Sequence, residues 1–91
     1  MERLELFEKA KCQSEILSDQ YPEAPTIRSI MRQIDYLTQL ENGTIHDRSR
    51  LKDIVLGVQA AREIEPLDRE LAELLYEVSA EAKKMQQQGP G

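Results

Sequence analysis

Proline and glycine punctuation is the feature that most restricts this chain. Pro22 and Pro25 flank Glu23-Ala24, Asn42-Gly43 follows, Pro66 comes next, and Gly89-Pro90-Gly91 closes the sequence. Between these breaks lie four stretches rich in Leu, Ile, Ala, Glu, Lys, Arg and Gln, which are strong helix formers. No sustained Val/Ile/Thr alternation marks a strand. With 91 residues there is room for one domain. The expectation is an all-α fold, a compact antiparallel bundle of four helices over residues 1–87, with 88–91 as a flexible tail.

Spacing places the helices. Helix 1 spans about 2–20, with Leu6, Phe7, Ala10, Leu17 and Tyr21 on one broad face. Gln13 and Ser14 interrupt that face, Leu4 and Ile16 lie off it, and Pro22 ends the helix. Helix 2 spans about 26–42, with a stripe of Ile27, Ile30, Met31, Ile34 and Leu37. Thr26 is its expected N-cap and Asn42-Gly43 its left-handed stop. Helix 3 is expected over about 48–64, capped by Asp47 or, one turn variant later, by Ser49. Its stripe is Leu51, Ile54, Val55 and Val58, widened by Gly57, Ala60 and Ala61 so that a neighbouring backbone can come close. This helix is expected to be the most buried, with Leu56 off its stripe and packed under another helix. Helix 4 spans about 69–87, with Asp68 as N-cap, Leu67 as a staple toward Ala72, and a stripe of Leu71, Leu74, Leu75, Val78, Ala82 and Met85.

Charge narrows the functional classes. Twelve Lys and Arg stand against seventeen Asp and Glu, a formal charge of −5. A phosphate-binding surface needs clustered cations, so nucleic acid and anionic membranes are poor partners. No apolar run reaches the roughly 20 residues that a spanning helix needs. The opening Met1-Glu2-Arg3-Leu4-Glu5 is unlike a secretory signal, and a lone cysteine suits a reducing compartment. The chain is therefore expected in the cytoplasm.

Catalytic chemistry is hard to assemble from these residues. His46 is the only histidine, placed in a loop beside Asp47, without the further ligands of a metal-dependent hydrolase site. Cys12, at the edge of the helix 1 face, reads as a small buried thiol with no neighbour to activate it. Glu70, Glu73, Glu77 and Glu81 line one side of helix 4, but the Glu-x-x-His spacing of di-iron bundles is absent. No phosphate loop, nucleophile elbow or zinc spacing occurs. The reading is a protein that is not an enzyme and carries no catalytic, cofactor-binding or metal site. Its acidic helical surface suits a protein partner. Tyr36 lies ~180° from the helix 2 stripe, at about 100° per residue, and reads as a surface aromatic or an anchor. Tyr76 on helix 4 raises the same question.

From Tyr36 to Ala82 the chain resembles a known family. The stretches Asp47-Arg48-Ser49-Arg50-Leu51, Leu56-Gly57, Ala60-Ala61-Arg62-Glu63-Ile64-Glu65 and Asp68-Arg69-Glu70-Leu71 carry the resemblance. They are similar to the small helical immunity proteins of bacterial type VI secretion. The chain departs from that pattern at Pro66-Leu67 and through most of helix 1. The resemblance implies an immunity protein that binds a cognate interbacterial NAD(P) glycohydrolase toxin and blocks its active site. The partner is then a toxin domain with a basic dinucleotide cleft, onto which negative charge steers the inhibitor. Surface chemistry selects Glu63, Glu65, Asp68 and Glu70 as acidic contacts, with Tyr36 as aromatic anchor. The alternative is a helical secretion chaperone or homodimerising adaptor, which predicts self-association of the free protein.

Overall fold

The computed structural model describes residues 2–88; residues 89–91, most of the expected tail, lie outside them. Helix α1 (Arg3–Gln20) leads through a tight turn to α2 (Pro25–Glu41). A connection then carries a single 3-10 turn (Leu51–Asp53). It enters α3 (Leu56–Gln59), which runs on without a break into a π-helical segment (Ala60–Ile64). Helix α4 (Arg69–Gln87) completes the chain, and no strand occurs among the described residues. Among the described residues no helix is long and apolar enough to cross a membrane.

Local chemistry explains the bounds. Pro25 occupies the first turn of α2, where its missing N–H is no loss and its fixed φ fits the helix. Ala24, not Thr26, is therefore the N-cap residue, and the Thr26 hydroxyl is free for another use. Gly43 sits at φ +84°, the left-handed stop expected after α2, and its N–H donates to the Leu40 carbonyl. Asp68 caps α4 by accepting from Leu71 N–H at 3.0 Å.

Ion pairs reveal the topology. Lys11 pairs with Asp35, and Arg3 pairs with both Glu41 and Glu81. The start of α1 thus meets the ends of α2 and α4, so α1 runs antiparallel to both. Gln33 bonds Gln59 while Thr26 bonds Glu63, so the third helix runs antiparallel to α2 as well. Gly57 faces α4, where an added Cβ would stand 3.2 Å from Ser79 Oγ; the close approach expected at that glycine is present. Four helices thus alternate in direction around one core.

That core holds Leu6, Phe7, Ala10 and Leu17 from α1 and Ile27, Ile30, Ile34 and Leu37 from α2. Alpha-helix α4 supplies Leu71, Ala72, Leu74, Leu75, Val78, Ala82 and Met85. Ser14 is fully buried too, with its hydroxyl donating to the Ala10 carbonyl at 2.8 Å, so the polar break in the α1 face is satisfied within its own turn. Leu4 and Ile16 stay exposed as expected, but Tyr21, placed on the α1 face by spacing, is 44% exposed.

The third helix departs most from expectation. It begins at Leu56 rather than near 48, and it is not the most buried helix; α4 is. Its core residues are Leu56, Ala60 and Ile64, four apart. Val55 and Val58, expected inside, are 47% and 57% exposed, and Ala61 is exposed. Asp47 caps no helix; its carboxylate accepts from Ser49 N–H at 3.0 Å and closes a local turn. Leu67, the expected staple, is 48% exposed.

Candidate functional site

The expected acidic contacts gather at one end of the bundle, where the third helix turns into α4. Pro66 ends the helix, and the Ile64 carbonyl accepts from both Leu67 and Asp68 N–H at 2.8 and 2.7 Å. Glu63 is exposed and accepts from the Thr26 hydroxyl at the start of α2. Glu65 is exposed and accepts from the Tyr76 hydroxyl of α4 at 2.6 Å, a bond that pushes the Tyr76 phenol pKa upward. Glu70 is exposed in the first turn of α4, where a carboxylate suits the helix dipole. Asp68 is half-buried and is already committed by one oxygen to its cap. Arg62 and Arg69 interleave with these acids, and Arg69 lies 3.8 Å from Glu73.

Tyr36 is placed differently from its expected surface position. It is only 5% exposed. Its hydroxyl donates to the Asp47 carbonyl at 2.8 Å and accepts from Arg50 N–H at 3.2 Å. The Arg50 guanidinium lies 4.5 Å from the ring centroid, within cation–π range. Half a turn away from the core stripe, the ring is covered by the connection that folds back over α2. It is a bracket for that connection, and an exposed anchor is excluded by its burial.

The same bracket opens a groove of about 310 Å³ between α2 and the connection. Arg32, Gln33 and Tyr36 line it from α2, and Arg50, Asp53 and Ile54 from the other side. Gln33 joins the two walls. Its amide donates to Gln59 at 2.8 Å and Ser29 at 3.1 Å, and its carbonyl oxygen accepts from Val55 N–H at 2.9 Å. Sequence reasoning missed this groove. A signal was present in the charge distribution: residues 24–62 carry six Lys and Arg against four Asp and Glu, whereas the rest of the chain carries six against thirteen.

The acidic stripe of α4 is partly neutralised. Glu81 holds Arg3 at 2.9 Å and Lys84 at 2.9 Å, and Glu73 faces Arg69. Hydrogen bonds from Lys84 and then Arg3 keep the Glu81 carboxyl below the ordinary glutamate range. Cys12, expected to be buried, is exposed on α1, and His46 is exposed in the connection. Among the described residues no group of three or more His, Cys, Asp or Glu side chains could hold a metal ion.

Comparison with known proteins places this architecture. A chain in the structure of Tse6 in complex with Tsi6 superposes with a TM-score of 0.90 at 23% identity, over 96% of this chain and 93% of that one. Tsi6 from Pseudomonas aeruginosa superposes with a TM-score of 0.84 at 24% identity, over 90% of this chain and 95% of that one. At such identities the likeness is one of fold. No curated protein sequence matches the chain. The Tsi6 family model, in contrast, matches residues 2–84, from the N-cap of α1 to the last turn of α4. By that match, the chain belongs to the Tsi6 family.

Proposed function

We propose that this protein is an immunity protein. It binds a cognate toxin delivered by type VI secretion, of the NAD(P) glycohydrolase class, and blocks the toxin's active site in the cytoplasm. It does so as a stoichiometric inhibitor and not as an enzyme. The observation that carries this reading is membership of the Tsi6 family, of which one solved structure holds Tsi6 in complex with Tse6. The NAD(P)-directed class follows from the resemblance of residues 36–82 to immunity proteins of such toxins.

The chemistry of the surface is consistent with that role. A cleft that binds a dinucleotide phosphate is suited by cations, and Glu63, Glu65, Asp68 and Glu70 offer carboxylates at one end of a rigid bundle. Two of these carboxylates are held by hydroxyls of other helices, so less side-chain freedom is lost on binding. A net charge of −5 speeds encounter with a basic cleft. Tyr36 contributes from behind the surface, by holding Arg50.

The test is co-expression with a candidate toxin domain, sought first in the gene next to this one. Protection of the cell and co-purification of the pair are expected. E63K/E65K should weaken the complex at least tenfold with the helical signal intact. Asp68 is best probed as Asp68→Asn, because asparagine keeps the cap while removing the charge. A chain that neither protects nor binds, and that sediments as a dimer when free, is instead the homodimerising adaptor.

A further inference from the structure

We propose that the groove between α2 and the connection receives an acidic side chain of the bound toxin, clamped between Arg32 and Arg50. This rests on the immunity reading above and adds to it a second, oppositely charged contact. Acids outnumber bases in this chain, yet neither Arg32 nor Arg50 has an ion pair among the described residues. Asp53 shares the lining but forms no ion pair with either, and Asp47 feels the Arg50 charge without pairing with it. Arg50 is positioned in advance: its guanidinium stacks on the Tyr36 ring and its N–H is held by the Tyr36 hydroxyl. A planar guanidinium fixed in this way presents its donors as a fork suited to a carboxylate.

The occupant is a side chain rather than a free phosphate. A phosphate cradled by backbone would need unpaired N–H groups, and those along this wall are engaged: Arg50 N–H by the Tyr36 hydroxyl, Asp53 and Ile54 N–H by the Arg50 and Leu51 carbonyls, and Val55 N–H by Gln33. The groove instead offers Ile54 beside the arginines, an apolar wall that suits the methylenes of Asp or Glu. It also continues the acidic end. From the groove, the exposed Val55 and Val58 lead along the third helix to Arg62 and Glu63. One continuous face therefore runs from the basic groove over an apolar stretch to the end where Glu63 and Glu65 lie, with Arg62 among them. A partner of matching chemistry carries an acid opposite Arg32 and Arg50 and bases opposite Glu63 and Glu65. Such a face excludes wrong toxins by like-charge contact at either end.

The experiment measures affinity of the toxin domain for the full chain and for the R32E, R50E and V58D variants, with I16D on α1 as an off-face control. The Arg32 side chain makes no hydrogen bond or ion pair among the described residues, so R32E tests the groove without disturbing the bracket. The expected result is at least a tenfold loss for R32E, for R50E and for V58D on the apolar stretch, rescue of R32E by one Asp/Glu→Arg change on the toxin, and no change for I16D. Inorganic phosphate at millimolar concentration is expected neither to shift the Arg50 resonances nor to compete. Wild-type affinity in R32E, or phosphate that shifts the Arg50 resonances and displaces the toxin, overturns the inference while leaving the immunity reading standing. No toxin binding by the wild-type chain overturns the immunity reading itself.

Discussion

Replacing Tyr36 by Phe separates a structural bracket from a surface anchor. The change keeps the ring and its burial and removes one oxygen. That oxygen makes two bonds, to the Asp47 carbonyl at 2.8 Å and from Arg50 N–H at 3.2 Å. A net hydrogen bond contributes about 0.5–1.5 kcal/mol. Asp47 and Arg50 are both exposed residues, so their orphaned backbone groups can turn to water, and the lower half of the range applies. The expected loss is about 1–2 kcal/mol, which in a domain of this size lowers Tm by roughly 4–16 °C. Urea denaturation should show a lower midpoint with an unchanged slope, since the surface exposed on unfolding hardly differs. Amide exchange should rise at Arg50 before it rises in α1 or α4. A stability change below about 0.5 kcal/mol, the size of an ordinary surface substitution, refutes the bracket and returns Tyr36 to the surface.

Three further substitutions check the register of the third helix and the pH response. Leu56→Ala should cost about 2–5 kcal/mol by denaturation and Val58→Ala no more than about 0.5 kcal/mol; the reverse order would support a helix over 48–64. Glu81 is held below its ordinary pKa by Lys84 and Arg3, so its contribution is present above the unfolded-state value and is lost as pH falls through the folded one. Glu81→Gln should therefore cost roughly 0.2–1 kcal/mol at pH 7, with the gap to wild type closing below about pH 4; a gap that persists at pH 2 contradicts the pairing.

Three helices were legible because their signals are local. The α4 bounds follow from Asp68 and an unbroken Leu/Val/Ala/Met stripe, and the end of α2 from Asn42-Gly43. The start of α2 shifted by one residue because Pro25 acts as a helix starter as well as a turn residue. The acidic cluster was legible too, since it lies within one eight-residue stretch. The Thr26 and Tyr76 hydroxyls that hold it come from 37 and 11 residues away in sequence and were not. Cys12 failed for a simpler reason: a helix with interrupted amphipathicity does not define the edge of its face well enough to place one small residue.

The misread helix and the missed groove have one cause. Residues 48–55 have good helical spacing, but their backbone groups find better partners on α2. Arg50 N–H goes to Tyr36 and Val55 N–H to Gln33, 14 and 22 residues earlier in sequence, while Tyr36 also takes the Asp47 carbonyl. Only Leu51–Asp53 keeps a helical turn, with Leu51 buried, and the rest of the segment lies across α2. Long-range side-chain capture of this kind leaves no periodic trace, so periodicity extends the helix where the fold unwinds it. Unwinding also builds the candidate site. A helix beginning at 48 would use the Val55 amide within its own turns, bonded to the Leu51 carbonyl and not to Gln33, and would leave Tyr36 uncovered. The side chains that stop the helix, Tyr36 and Gln33, are the ones that wall the groove and seat Arg50. A substitution that restored the helix would thus erase the basic contact while leaving the acidic end in place.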